Sequence, residues 1–145
     1  GIGGTGRSVR IVDNEIADNR TRDDVDPTWE GGGVKLVGTT DARVVGNRVH
    51  GNRGNGLWTD IDAVGTLTVA NTVTDNELAG IFDEISYGAE IRDNVVAGNG
   101  TVDSGWYWNA GIQIAASRNV VVAGNQLSGN RQGIIEHPEV RAVGG

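Results

Sequence analysis

The hydrophobic and polar positions of this chain repeat one phrase: an aliphatic residue, two residues, Asn, one residue, an aliphatic residue, two residues, Asn. Its copies run through Ile11, Asn14, Ile16 and Asn19; Val44, Asn47, Val49 and Asn52; Thr68, Asn71, Val73 and Asn76; Ile91, Asn94, Val96 and Asn99; and Val122, Asn125, Leu127 and Asn130. Successive copies are offset by 33, 24, 23 and 31 residues. A basic period in the low twenties with fixed Asn and aliphatic positions predicts a solenoid, in which each repeat is one coil and like residues stack. Two-residue alternation points Val44 and Val49 inward and Arg48 and His50 outward. An Asn at each corner is expected to accept a left-handed backbone and to bond its amide to the copies above and below. All ten Asn therefore read as architecture.

A second signal falls between these phrases. Gly precedes an aliphatic residue at Gly33-Val34, Gly56-Leu57, Gly80-Ile81, Gly111-Ile112 and Gly133-Ile134, and the chain opens on Gly1-Ile2. Together the two signals predict five coils and the beginning of a sixth. The N-x-[VIL]-x-x-N phrase followed by G-[VIL] resembles the right-handed parallel β-helix superfamily, the pectate-lyase-like solenoids, over essentially the whole chain. The resemblance implies an all-β parallel solenoid with Asn ladders. It leaves activity open, because that coil carries polysaccharide lyases, hydrolases, epimerases and non-catalytic adhesins.

Composition narrows the partners. Twenty-four Gly and two Pro suit short strands and tight turns. A net charge of −7, with Lys35 as the single Lys and eleven scattered Arg, weighs against nucleic acid and against an anionic membrane surface. The absence of Cys excludes disulfides, zinc thiolates and thiol catalysis. No apolar run is long enough to span a bilayer, and no basic–apolar leader opens the chain. Neither end shows an amphipathic capping helix. Open strand edges are thus expected to favour end-to-end self-association, and the chain reads as one solenoid domain or a piece of a longer one.

Departures from a repeat mark the loops that carry function. Three turns after the second Asn are two or three residues long (53–55, 77–79, 131–132), whereas 20–32 and 100–110 hold thirteen and eleven. The two long loops leave one corner three coils apart, roughly 14 Å at ~4.8 Å per rung. They are expected to wall a groove floored by strands 56–62 and 80–86. Trp29 stands in the first wall, and Trp106, Tyr107 and Trp108 in the second. Such rings either clamp their own loops or face the C–H surface of a sugar.

On the floor, alternation predicts an outward column of Lys35, Trp58, Phe82, Gln113 and Ile135. A second holds Val37, Asp60, Glu84, Ala115 and His137, and a third Asp62 and Ser86. Asp60 and Glu84 would lie one rung apart, where one carboxyl is expected to hold its proton unless a cation intervenes. Three readings of the pair compete. They could act as acid and base or nucleophile on a glycosidic bond, with Lys35 as cationic partner or base. Asp60, Asp62 and Glu84 could hold Ca²⁺, the one cofactor suggested. They could equally be structural ion pairs with Lys35 or a loop Arg. Trp58 under Phe82 reads as a ladder contact, a sugar platform or both, with Gln113 beside them. Asp23, Asp24 and Asp26 form a solvated cluster or a further calcium ligand set, and His50 reads as a surface residue.

The leading expectation is a carbohydrate-active solenoid that cleaves or epimerises a polysaccharide or oligosaccharide outside the cell or at its surface. The resemblance implies for calcium-dependent lyases several Asp ligands and an Arg base, and no Arg falls in the floor columns here. The alternative is a non-catalytic glycan-binding or structural repeat module.

Overall fold

A computed structural model describes residues 1–19, 23–24, 26–103 and 109–138. Every regular element among them is a short parallel β-strand, and the strands form three sheets. The first sheet stacks β1 (Ile2–Gly4), β4 (Gly32–Val37), β7 (Asn55–Asp60), β10 (Ile81–Glu84), β13 (Ile112–Ala115) and β16 (Ile134–His137). The second stacks β2 (Arg10–Val12), β5 (Arg43–Val45), β8 (Leu67–Val69), β11 (Glu90–Arg92) and β14 (Val121–Ala123). The third stacks β3 (Glu15–Ala17), β6 (Arg48–His50), β9 (Thr72–Thr74), β12 (Val95–Ala97) and β15 (Gln126–Ser128). Each coil contributes one strand to each sheet. Five coils are complete, and β16 begins a sixth.

The Asn phrase is two strands rather than one, because its first Asn turns the chain from the second sheet into the third. From the second coil onward, each ladder Asn Oδ1 accepts two bonds from the Asn one coil earlier. Asn71 Oδ1, for example, receives the Asn47 amide nitrogen at 2.9 Å and Asn47 Nδ2 at 3.0 Å. Asn47 Nδ2 also donates to the Ile11 carbonyl at 2.9 Å. The interior Asn are completely buried, so the ladder satisfies backbone groups that water cannot reach at the corners.

The left-handed residue is not the Asn, as expected from its tolerance for that region, but the residue before it. Asp13, Gly46, Ala70, Asp93 and Gly124 precede the first ladder, and all have φ between 55° and 67°. The Asn must keep an ordinary backbone for its amide to point along the stack. The repeated Gly of the Gly-aliphatic signal has a different cause, close approach. A Cβ on Gly56 would lie 2.8 Å from both Val73 Cγ1 and Asn76 Nδ2, and Gly80 meets Val96 and Asn99 in the same way.

Inside the three sheets, stacked inward-facing aliphatic side chains form the core, including Ile11, Val34, Leu36, Val49, Leu57, Val73, Ile81, Val96 and Ile112. A second, separate apolar cluster of Trp58, Ala79, Phe82 and Ala115 packs on the outer face of the first sheet. Its existence shows that part of this outer face is covered.

Candidate functional site

The register of the first sheet aligns Lys35 with Trp58, Trp58 with Phe82, Phe82 with Gln113, and Gln113 with Ile135. Val37 pairs with Asp60, Glu84 with Ala115, and Ala115 with His137. Asp60 and Glu84 each follow the Thr59–Asp83 pair by one residue, so they occupy adjacent rungs. The first two expected columns therefore exist. The third does not. β7 ends at Asp60 because Ile61 and Asp62 both adopt left-handed backbone, with φ of 39° and 58°. Asp62 sits exposed on that turn, while Ser86 is buried and donates to the Glu84 carbonyl at 2.7 Å.

Outward direction does not amount to exposure. Trp58, Phe82 and Gln113, expected as an open substrate floor, are all buried. Trp58 and Phe82 stack with centroids 5.5 Å apart and planes 15° from parallel, the ladder contact rather than a platform. Gln113 Oε1 accepts from the Ala110 amide at the foot of the second long loop, which occupies it with anchoring.

Lys35 is the hub of the site. Its Nζ lies 3.1 Å from Asp60 Oδ2, 3.5 Å from the Trp58 ring centroid and 5.7 Å from that of Trp29. It also donates to the Trp29 carbonyl at 2.5 Å. Lys35 is thereby committed to Asp60, the Trp29 carbonyl and the Trp58 ring, and braces the wall against the floor. The other Asp60 oxygen, Oδ1, accepts the Ile61 amide at 2.8 Å. Asp60 is only 5% exposed and both of its oxygens are engaged.

The lysine bond holds the first wall against the sheet. Asp26 turns this wall by accepting from the Thr28 amide at 2.8 Å and the Thr28 hydroxyl at 2.6 Å. The Thr28 side-chain bond, with that of its amide, holds the Asp26 carboxyl below its ordinary range. Its carbonyl accepts the amides of Trp29 and Glu30. Trp29 remains 68% exposed. Beneath it a hollow of about 570 Å³ runs across β1, β4, β7 and β10, from Gly3 and Gly4 past Lys35 to Ile61, Glu84 and Ile85. The floor thus reaches one coil further towards the start of the chain than the expected strands. The glycines of β1 open that end, and a Cβ on Gly4 would meet nothing within 4 Å. Trp58 lines part of this hollow, while its indole N–H is buried from solvent and makes no hydrogen bond among the described residues.

A family model described as the right-handed beta helix region matches residues 1–138. The chain belongs to the right-handed β-helix family. No match is found among curated proteins or solved structures.

In this β-helix the second wall is described only at its stem. Asn109 Nδ2 donates to the Val102 carbonyl at 2.9 Å, which closes the loop's neck, and Arg131 holds Asp103 at 3.1 Å. Trp106, Tyr107 and Trp108 lie outside the described residues. Among the described residues no three His, Asp or Glu side chains gather closely enough to hold a metal ion. Asp60, Asp62 and Glu84 therefore do not form the expected calcium cage, because the left-handed turn carries Asp62 away and Lys35 occupies Asp60. The acidic loop cluster is dispersed too, with Asp23 paired to Arg53 at 3.0 Å and Asp26 committed to Thr28. His50 lies on the third sheet, 3.2 Å from Glu15, away from the groove.

One ionisable residue of the β-helix escaped the sequence reading. Asp83 points inward, between Thr59 and Ile114 in the register. It is 1% exposed, and Thr59 donates to its Oδ1 at 2.5 Å while Oδ2 has no hydrogen-bond partner. Burial pushes its pKa above the ordinary value, against the smaller lowering effect of the Thr59 bond. Its position directly after Phe82 in an alternating strand was the signal available.

Proposed function

We propose that this β-helix binds a polysaccharide or oligosaccharide in the hollow across β1, β4, β7 and β10, outside the cell or at its surface. The observation that carries the reading is Trp29. The residue is 68% exposed at the rim, yet its backbone is fixed by Lys35 and the Asp26 cap. A large ring left in water on a braced turn favours a flat apolar ligand, and a sugar's C–H face is one. Ile61, 47% exposed, continues the apolar strip along the hollow. Lys35, Asp60 and Glu84 supply polar groups at its base. This mixture of apolar walls and few polar groups suits an uncharged or weakly charged glycan.

The second reading, cleavage, is favoured by Asp60 and Glu84 on neighbouring rungs. The engagement of both Asp60 oxygens argues for binding first. The test is titration of a panel of neutral and acidic oligosaccharides, with product analysis of each mixture. Binding should weaken at least about tenfold in Trp29→Ala while the unfolding midpoint stays unchanged. No saturable binding by the parent chain would overturn the proposal. Turnover that disappears in Glu84→Gln while binding persists would replace it with the enzymatic reading.

A further inference from the structure

The second sheet carries a positive face unrelated to the groove. β2 and β5 set Arg10 directly beside Arg43 in register, about 4.8 Å apart at the backbone. Both side chains are exposed, and neither makes an ion pair or hydrogen bond among the described residues. The other two arginines on described strands are neutralised, Arg48 by Glu15 at 3.0 Å and Arg92 by Glu90 at 3.2 Å. Like charges directly opposite each other destabilise a sheet, so an unpaired pair calls for a counter-charge from elsewhere.

The same two residues line a hollow of about 620 Å³ together with Ser8, Asp41, Glu90 and Arg92. Glu90 is already held by Arg92. Three guanidinium groups thus face two carboxylates, on a chain whose net charge is −7. Gly65 and Gly88 occupy the same position in successive coils, and a Cβ on Gly88 would meet nothing within 4 Å, so the hollow is open there. A planar guanidinium presents paired N–H donors that match the oxygens of a carboxylate or sulfate.

We propose that this hollow is an oxyanion site, in which Arg10 and Arg43 close on a single carboxylate or sulfate group, with the Ser8 hydroxyl at its edge. The ligand is a small anion or one acidic substituent of a glycan. A long polyanion would run on into Asp41 and Glu90, which line the same hollow. These residues are distinct from those of the groove, so either site can fail while the other stands.

Inorganic sulfate titrated by calorimetry at low ionic strength, against chloride at equal ionic strength, tests the site. Glucuronate and a glucose sulfate then distinguish a free anion from a sugar-borne one. Saturable sulfate binding is expected. Arg10→Gln and Arg43→Gln should each weaken it about tenfold, and Arg48→Gln should leave it within about twofold. Circular dichroism confirms that the variants remain folded, and Arg43→Lys, which keeps the charge without the planar fork, should lose less than Arg43→Gln. The proposal is overturned if sulfate does not saturate, if chloride competes equally, or if Arg48→Gln loses as much as the other two. Tight oligonucleotide binding through Arg10 and Arg43 would overturn it in favour of a nucleic-acid face.

Discussion

The Lys35 ammonium stands 3.5 Å from the centroid of the Trp58 ring, and that contact ties the first wall, the floor and an acid of the groove into one unit. The same nitrogen reaches Asp60 in the next coil and the Trp29 carbonyl in the wall. Removing the cation strands a carboxylate that is 5% exposed. Lys35→Met should destabilise the fold by about 2–3 kcal/mol, somewhat below a fully buried pair because the lysine keeps some solvent contact. Asp60→Asn in the same background should recover part of the loss, with a coupling of about 1–2 kcal/mol in a urea-denaturation double-mutant cycle. Strict additivity would mean that the pair contributes nothing.

Asp83 sets a pH dependence of stability. Its folded pKa is raised above the ordinary 3.8, so the native state holds this proton more tightly than the unfolded chain. The favourable contribution is complete below the unfolded value and is lost as pH rises through the folded one. Asp83→Asn keeps a partner for Thr59 and removes the buried charge. It should raise the neutral-pH melting temperature and flatten the decline in stability from about pH 4 upward, with calorimetry across pH as the measurement. An unchanged pH profile would refute this assignment.

The Asn ladder predicts a positional contrast. Asn94 Oδ1 accepts both the amide nitrogen and Nδ2 of Asn71, and its own Nδ2 donates to Thr68 and Asn125, all around a fully buried residue. Asn94→Ala orphans several buried groups and should cost about 3 kcal/mol. Asn14 is exposed at the first rung and, through its amide groups, only donates. Asn14→Ala should cost under about 1 kcal/mol by the same denaturation assay. Equal losses would count against the ladder as the source of stability.

Gly46 and Gly88 share a φ of 67° but not their surroundings. A Cβ on Gly46 would fall 2.3 Å from Asp13 Oδ1, whereas one on Gly88 meets nothing. The same alternation of Asp against Gly recurs at Asp18 and Gly51, Asp75 and Gly98, and Asp93 and Gly124. Gly88→Ala should cost about 1 kcal/mol for the backbone alone. Gly46→Ala should cost more, and Asp13→Gly should bring it back to the Gly88 level. Thermal melts of the three variants check this.

The Asn phrase and the Gly-aliphatic signal together determined the parallel stack, its five complete coils and the start of a sixth, whereas the division of the Asn phrase between two sheets came from the structure. Because equal positions of a solenoid lie on top of one another, counting along the chain is also measuring in space. Hence Lys35, Trp58, Phe82 and Gln113 were legible as one column, and Asp60 and Glu84 as neighbours. Alternation assigns a side chain to a face of the sheet. It does not say what covers that face, or where a left-handed turn ends the strand. Only the tertiary structure therefore decided that Trp58, Phe82 and Gln113 are buried, that Asp62 leaves the groove, and that Lys35 is bound to Trp29 and Asp60. Those outcomes depend on contacts between a loop and coils distant in sequence, and no local pattern encodes them.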